Sequence, residues 1–219
     1  MTNYQAVFFD LDGTVVDTLQ NITGVVNHTM EHFGLPAFSP EVIKPHLGWG
    51  VDHLMRQLLP ETSETQISEI LAYYRPYYAL HTTDDAAPYP GILPMLERLR
   101  QAGLTLAIIS NKPDAAVQPL ARRYFPGLIS LSVGELPNIP RKPAPDMLLR
   151  AAKQLDVALS RCLYVGDTEV DIQTARNTGV DCLCVTWGFR TKEQLLRAGA
   201  SQIVDSPEAL VRQISGTTF

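Results

Sequence analysis

The sequence of 219 residues predicts an α/β protein with a doubly wound parallel sheet. Two observations predict this class. Short apolar runs end at polar turns, and each turn is followed by a stretch with helical spacing. Apolar runs that alternate with helices in this way indicate parallel strands buried on both faces. The runs cover residues 6–9, 104–109, 163–165 and 180–185.

The helices carry recognisable start and stop signals. Leu93, Leu96 and Leu99 recur at helical spacing, and Gly103 is a suitable C-terminal cap for them. Proline suits the first turn of a helix, where its missing N–H costs nothing. Helix starts are predicted at Pro113, at Pro145, at a capping box of Thr191 with Gln194, and at Ser206.

One segment interrupts the alternation of strands and helices. Residues 17–87 show helical periodicity without a convincing strand, and residues 84–91 have the composition of a linker. We therefore expect an α/β core of residues 1–15 and 88–219, with residues 16–87 inserted as an all-helical cap domain. A cap at this point would overhang the C-terminal ends of the strands, where open α/β sheets bind ligands.

The charge balance excludes several classes of protein. Lys and Arg number 18 against 23 Asp and Glu, so the net charge is −5, and the absence of basic blocks makes nucleic acid an unexpected partner. No apolar run approaches the roughly 20 residues of a membrane span, and we expect no signal peptide. Three cysteines without a CxxC motif fit a reducing compartment, so a cytoplasmic location is expected.

Two carboxylates follow the first apolar run. Asp10 and Asp12 leave the predicted strand into a turn at Gly13 and Thr14, and at this spacing both can face one small volume. Their proximity raises the pKa of at least one of them unless a cation lies between them, and Mg²⁺ prefers such oxygen ligands. The alternative is an Asp-rich turn that caps a helix through its own hydrogen bonds.

Similar polar groups follow the later strands. Asp167 leaves one strand, and Asp171 returns to the same face if a helix begins there, although acids also favour helix N-termini for other reasons. Ser110 and Asn111 could direct a hydroxyl and backbone N–H groups at an anion near a helix start. Lys142 places a cation before another helix, a position where a lysine often has no specific role.

The order of these motifs carries a family resemblance. DLDGT at residues 10–14, Ser110 after the second apolar strand, KPAPD at residues 142–146 and GDTEVD at residues 166–171 resemble the haloacid dehalogenase superfamily of phosphatases. The resemblance implies a Rossmann-like core, and the insert resembles the helical cap of that family. Residues 48–52, 74–91 and 185–189 are more loosely similar to its phosphoglycolate phosphatase group.

The resemblance also implies residue roles. Asp10 would be the nucleophile that forms an aspartyl-phosphate, and Asp12 would protonate the leaving oxygen and later deprotonate water. Mg²⁺ would be held by Asp10, Asp167 and the backbone carbonyl of Asp12, with Lys142 adding positive charge. Asp171 would orient metal-bound waters or Lys142. The phosphoryl oxygens would be held by Ser110, Asn111 and the backbone N–H groups of Gly13 and Thr14.

Asp12 favours phosphoryl transfer over dehalogenation. A carbon–halogen bond needs no proton on its leaving group, whereas an alkoxide leaving phosphorus does. We therefore expect a Mg²⁺-dependent phosphatase acting on a small phosphate ester, with 2-phosphoglycolate as the first choice. The alternatives are a phosphomutase of the β-phosphoglucomutase type, a pyrophosphatase or nucleotidase, and a non-catalytic binding protein. The chain is expected to be a monomer or a homodimer.

Substrate selection is expected to lie in the cap. A lid over the site would exclude water and favour small substrates, with hinges near residues 17–18 and 87–91. No residue has a decisive spacing, and the arginines could equally be solvated helix charges while Trp49 could be buried in a turn. The candidates are Trp49, Gly50, His53 and Arg56, followed by His46, Arg75 and His81.

Overall fold

The computed structural model describes residues 4–215, so residues 1–3 and 216–219 of the predicted core lie outside it. The strands are β1 Ala6–Phe9, β2 Val16–Asp17, β3 Ala87–Pro88, β4 Thr105–Pro113, β5 Leu131–Glu135, β6 Cys162–Gly166, β7 Asp181–Val185 and β8 Ile203–Val204. The helices are α1 Leu19–His32, α2 Pro40–Ile43, α3 Val51–Leu58, α4 Glu64–His81, α5 Ile92–Gln101, α6 Asp114–Tyr124, α7 Asp146–Gln154, α8 Glu169–Thr178, α9 Lys192–Arg197 and α10 Pro207–Ser215.

A six-stranded parallel sheet confirms the predicted α/β class. Its strand order is β5-β4-β1-β6-β7-β8, and β1 pairs in parallel with both β4 and β6. All four predicted apolar runs contribute strands to this sheet. The sequence does not predict the two edge strands. β8 has only two residues, and β5 is half-exposed apart from Gly134, so neither contains a continuous apolar run.

The sheet buries both of its faces. Val7 and Phe9 point to one face and pack with residues of α5, α6 and α10, whereas Ala6 and Phe8 point to the other and pack with α7 and α8. The alternation arises because successive side chains of a strand point to opposite faces. The helix predicted from Leu93, Leu96 and Leu99 is observed as α5, although Leu93 itself is 39% exposed. The buried residues of α5 are Ile92, Met95, Leu96 and Leu99.

Most of the predicted helix starts are observed. The side chain of Thr191 accepts a hydrogen bond from the backbone N–H of Gln194, which confirms the capping box at the start of α9. α10 begins at Pro207, directly after Ser206. Pro113 and Pro145 lie one position earlier than predicted, because each is the N-cap residue that precedes its helix.

A helical insert connects β2 to β3. We use "the insert" for residues 16–87 and "the core" for the rest of the described chain; their division into two domains stays a prediction. In the insert α4 packs against both α1 and α3 around an apolar cluster that also includes Ala116 and Phe189 of the core, and Pro76 lies within α4. At its two ends Val16 pairs with Pro88 and Asp17 with Ala87. Among residues 4–215, no helix is long and apolar enough to cross a membrane.

Candidate active site

The predicted site residues meet at the C-terminal edge of the sheet. Asp10 follows β1 and Asp167 follows β6, while Ser110 and Asn111 belong to the last part of β4. These three strands are neighbours in the order β4-β1-β6. Because parallel strands end at one common edge, residues that are 100 or more positions apart in the sequence share a single volume.

Lys142 lies between two of the predicted carboxylates. Its Nζ donates hydrogen bonds of 2.8 Å to Oδ1 of Asp10, to Oδ1 of Asp171 and to the hydroxyl of Tyr164. Burial alone would lower the pKa of Lys142, but the charges of Asp10 and Asp171 outweigh it and raise that pKa well above its ordinary value. Lys142 therefore stays an ammonium ion, and Asp171 holds it against Asp10.

Asp167 is fixed from two sides. The hydroxyl of Thr14 donates to its Oδ1 at 2.8 Å, and the backbone N–H of Phe189 donates to its Oδ2 at 2.7 Å. Burial raises the pKa of Asp167 well above its ordinary value, and the negative charges of Asp171 and Asp10 raise it further. Burial also raises the pKa of Asp10 to about 7, although Lys142 opposes this shift.

The donor set of this edge fits a divalent cation. Carboxylate oxygens of Asp10, Asp167 and Asp171 lie within 4.8 Å of one another, and all three residues are buried. Burial, and after it the negative charge of Asp171, raises the pKa values of Asp10 and Asp167, and a Mg²⁺ ion beside them would favour their ionised forms. Each oxygen of Asp171 already accepts two hydrogen bonds, whereas each oxygen of Asp167 accepts one, so Asp10 and Asp167 are the better ligands.

Two glycines let the backbone approach Asp167 closely. Gly13 has a φ of +83°, and a Cβ there would lie 2.4 Å from Oδ2 of Asp167. A Cβ on Gly188 would lie 2.4 Å from the same oxygen and 2.2 Å from the carbonyl oxygen of Gly13. No larger residue fits either position, so both glycines shape the surroundings of the predicted metal ligand.

Asp12 lies outside the carboxylate cluster and pairs with Lys112, a residue that was not predicted to belong to the site. Nζ of Lys112, at the end of β4, is 3.1 Å from Oδ1 of Asp12 and also contacts the hydroxyl of Tyr78 from α4. Lys112 is only 4% exposed. Burial lowers the pKa of Lys112, and the carboxylate of Asp12 opposes that shift. The side chain of Asp12 is thus oriented toward the insert, which leaves its backbone carbonyl as the predicted metal ligand.

Ser110 and Asn111 differ in what they can offer a phosphate. The Ser110 hydroxyl accepts a hydrogen bond from the backbone N–H of Lys112 at 3.2 Å and can donate its own proton. The side-chain amide of Asn111 donates to the carbonyl oxygens of Gly48 and Lys142, both at 2.9 Å. The Asn111 side chain therefore joins the insert to the Lys142 segment, and any contribution to phosphate binding would come from its backbone.

The insert closes over this edge and forms a cavity with an empty volume of about 490 Å³, the open mouth included. Asp10, Asp12 and Ser110 lie at the floor, and the walls contributed by the insert are largely apolar. The lining residues of the insert are Ile22, His46, Leu47, Gly48, Gly50, Val51, Leu54, Tyr74 and Tyr78.

The four foremost cap candidates are placed differently. Gly50 lines the cavity, with a φ of +87°. Trp49, His53 and Arg56 are not among the lining residues of the described chain. Trp49 donates through Nε1 to Glu169, and the ring of His53 lies 5.8 Å from that of Trp49. Arg56 pairs at 2.8 Å with Glu64 on the surface, because that carboxylate lies beside it on the neighbouring helix.

The three further candidates for substrate selection also differ in their surroundings. His46 lines the cavity. Arg75 forms an ion pair of 2.7 Å with Asp52, and Nδ1 of His81 lies 2.8 Å from Oδ2 of Asp84. These two side chains are therefore engaged by nearby carboxylates.

Two polar clusters hold the insert against the core. In the first, Arg190 pairs with Glu169 at 2.8 Å and donates to the carbonyl oxygens of Lys44 and Leu47 in the insert. In the second, Asp52 and Arg75 of the insert meet Glu135 and Arg141 of the core, with N–O distances between 2.7 and 3.5 Å. These contacts are not predictable from the sequence, because they join residues that are distant along the chain. The residues concerned in the core are Arg190, Glu169, Glu135 and Arg141.

Comparison with known proteins identifies relatives of this chain. The family model of haloacid dehalogenase-like hydrolases matches residues 7–185. A phosphoglycolate phosphatase of Chromobacterium violaceum is 31% identical over 214 residues, covering 94% of each chain. One of Rhodobacter capsulatus is 34% identical over 191 residues, covering 84% of this chain and 85% of the relative.

A solved structure is similar over almost the whole chain. The crystal structure of a protein from Lactobacillus delbrueckii subsp. bulgaricus, provisionally named a phosphoglycolate phosphatase, superimposes with a TM-score of 0.92. The two sequences are 39% identical, and the match covers 98% of this chain and 99% of the other. The arrangement of sheet and insert is therefore shared with that protein.

Proposed function

The chain belongs to the haloacid dehalogenase-like hydrolase family and is a phosphatase, and we propose that it hydrolyses 2-phosphoglycolate with the help of Mg²⁺. The observation that carries this proposal is the meeting of Asp10, Asp12, Lys142 and Asp167 at one edge of the sheet, beneath an insert that leaves room for a small ester. The names of the relatives support the choice of 2-phosphoglycolate.

In the first step, a carboxylate oxygen of Asp10 attacks phosphorus. The bond between phosphorus and the ester oxygen breaks, and Asp12 gives its proton to that oxygen as the alcohol leaves. Lys142, 2.8 Å from Asp10, offsets negative charge as an anionic carboxylate approaches an anionic phosphate. Asp171 keeps Lys142 in place through its own 2.8 Å hydrogen bond.

In the second step, water attacks the phosphorus of the aspartyl-phosphate. Asp12 takes a proton from this water, the bond between phosphorus and the oxygen of Asp10 breaks, and inorganic phosphate leaves. Asp12 thereby recovers the proton it gave away, and Asp10 recovers its carboxylate. Both residues return to their starting states, which is what repeated turnover requires.

The acidic edge has the ligands for Mg²⁺. Asp10, Asp167 and the backbone carbonyl of Asp12 would hold it, and the metal would neutralise charge on the phosphoryl oxygens. The hydroxyl of Ser110 would hold those oxygens in addition. The backbone N–H groups of Gly13 and Thr14, predicted for the same role, instead donate to the carbonyl oxygens of Val16 and Leu11, because they close the turn after β1. The mostly apolar insert would exclude bulk water while the ester is bound.

The test measures phosphate release by the purified protein from a panel of small esters, with and without Mg²⁺. The panel contains 2-phosphoglycolate, sugar phosphates, nucleoside monophosphates and pyrophosphate. We expect 2-phosphoglycolate to give the highest kcat/KM and chelation of Mg²⁺ to abolish turnover. A higher kcat/KM on another ester would overturn the substrate, and isomerisation of a sugar phosphate without phosphate release would indicate a mutase.

Asp10→Asn serves as the mechanistic variant in the same assay. It keeps the volume of the side chain but removes the nucleophilic carboxylate, so we expect a folded protein with turnover near background. Asp156→Asn is the matched control, since Asp156 is exposed and has a φ of +53° that asparagine tolerates well. Turnover by Asp10→Asn at the wild-type rate would refute the aspartyl-phosphate.

A further inference from the structure

We propose that Lys112 binds a carboxylate on the alcohol portion of the substrate and thereby selects esters with an acidic leaving group. The inference rests on the function proposed above, because it uses the site of Asp10 and Asp12. It adds a specificity residue that lies on the core strand β4 rather than in the insert, where we expected selection to be made.

Lys112 is the only lysine or arginine among the described residues that line the cavity. Apart from His46, the residues of the insert that line the cavity carry no charge at neutral pH, and they include Ile22, Leu54 and Tyr74. A charge in such surroundings interacts more strongly with a bound ion than a charge in water does. An anionic substituent that enters this cavity therefore has one strong partner beyond those that act on the phosphate.

The position of Lys112 matches the leaving-group side of the site. Its Nζ lies 3.1 Å from Oδ1 of Asp12, the residue assigned to protonate the leaving oxygen. A group that touches Asp12 in this way lies next to the alcohol rather than next to the phosphorus. In 2-phosphoglycolate the carboxylate is attached to the carbon that bears the ester oxygen, so it would lie within reach of Nζ.

The insert and the core together fix the Lys112 side chain. Tyr78 contacts Nζ through its hydroxyl from α4, while the backbone N–H of Lys112 donates to Ser110. The ammonium group is thus held before a substrate arrives, and little side-chain freedom remains to be lost on binding. A substrate without an anionic substituent would displace these contacts without replacing them, which is how polar sites reject neutral analogues.

The experiment compares two substrates that differ in one charge, 2-phosphoglycolate and its amide, 2-phosphoglycolamide. We measure kcat/KM of both for the wild type and for Lys112→Met, with Lys153→Met as a control at an exposed position of α7. Loss of a charged hydrogen bond predicts that Lys112→Met lowers kcat/KM for the acid about 10- to 100-fold more than for the amide. Lys153→Met should change neither value.

Equal losses on the two substrates would overturn the inference, because they would mean that Lys112 only positions Asp12. A wild type that does not prefer the acid would overturn it as well. If Lys112→Met fails to fold, Tyr78→Phe and Lys112→Arg answer the question, since both retain the positive charge and should keep a preference for the acid. Loss of that preference in both variants would count against the charge as its origin.

Failure of the proposed function would have a different signature, namely no phosphate release from 2-phosphoglycolate by the wild type. The matched anionic and neutral esters are then chosen around the best substrate of the panel. The comparison of wild type and Lys112→Met is repeated on that pair, and equal losses again overturn the role of Lys112.

Discussion

The indole N–H of Trp49 donates a 2.8 Å hydrogen bond to Oε1 of Glu169, which joins the insert to the core two residues after Asp167. Arg190 approaches the same carboxylate and also reaches the backbone of the insert. Although burial raises the pKa of Glu169, the hydrogen bond and charge of Arg190 lower it overall, so the carboxylate stays charged. The turn that carries a predicted metal ligand therefore also holds the insert over the site.

Glu169→Ala should weaken closure of the insert more than it impairs the chemical step. It leaves the buried guanidinium of Arg190 without its carboxylate and Trp49 without its acceptor. Because Glu169 is partly exposed and Arg190 keeps two carbonyl partners, the cost should lie below the about 3–5 kcal/mol of fully buried pairs. We expect KM to rise about tenfold or more with a smaller change in kcat, measured by steady-state kinetics. Glu97→Ala, at an exposed position of α5, is the control, and an unchanged KM in Glu169→Ala would contradict the role of Glu169 in holding the insert.

The loss of kcat caused by Asp12→Ala should depend on the leaving group of the substrate. General acid catalysis contributes about 10²- to 10⁴-fold when the leaving oxygen needs a proton, and much less when it leaves easily. We expect a large loss of kcat on an alkyl phosphate and a smaller one on an activated aryl phosphate. The ratio of the two losses is the measurement. Equal losses would argue against Asp12 as the acid.

Asp167→Asn should weaken Mg²⁺ binding directly. The amide oxygen can still accept from the backbone N–H of Phe189, and the hydroxyl of Thr14 can rotate to accept from the amide N–H, so the side chain stays bonded while one negative charge is lost from the cluster. We expect the Mg²⁺ concentration for half-maximal activity to rise at least about tenfold, and calorimetry to show weaker binding. With Asp156→Asn as the control, equal Mg²⁺ affinity in the wild type and Asp167→Asn would exclude Asp167 as a ligand.

Asp10 should make the metal-free protein less stable as the pH rises. Its pKa increases from 3.8 in the unfolded chain to about 7 in the folded one, so the folded state binds more protons between these values and loses stability across that window. Measured without metal, the free energy of unfolding of Asp10→Asn minus that of the wild type should increase from pH 4 to pH 7. The increase should be at most roughly 4 kcal/mol.

Saturating Mg²⁺ provides the internal control for this titration. A cation beside Asp10 favours the ionised carboxylate, so the pH-dependent gain of Asp10→Asn should shrink when Mg²⁺ is present. The measurement is chemical denaturation at several pH values. A stability difference that stays constant with pH in the metal-free protein would contradict the raised pKa.

The sequence predicted those features that depend on local pattern. Strands such as residues 6–9 and 163–165 are continuous apolar runs because they lie inside the sheet, and Asp10 and Asp167 were found because each follows such a run. The haloacid dehalogenase resemblance is confirmed by the family match. β5 was missed because an edge strand exposes one side and needs no apolar run.

Lys112 and Arg190 could not be found in the same way. A lysine after a strand is usually solvated, and nothing near residue 112 reveals that Tyr78 and Asp12 enclose it. Arg190 is buried by contacts with residues more than 100 positions away in the sequence. Arg56 was predicted as a candidate for substrate selection because its tertiary partner could not be inferred from the sequence. In the structure its ion pair with Glu64 keeps it at the surface. The roles of the site residues themselves stay predictions.

The pairing of β2 with β3 has a consequence for how this scaffold can diversify. The chain enters the insert at Val16 and Asp17 and leaves it beside them at Ala87 and Pro88, in a two-stranded sheet separate from the main one, so the two junctions are neighbours in space. Adjacent antiparallel junctions can be bridged by very short turns or by long excursions, with the same path through the sheet. Evolution could therefore lengthen, shorten or replace everything between them. Substrate range would change while the groups that act on phosphorus kept their places.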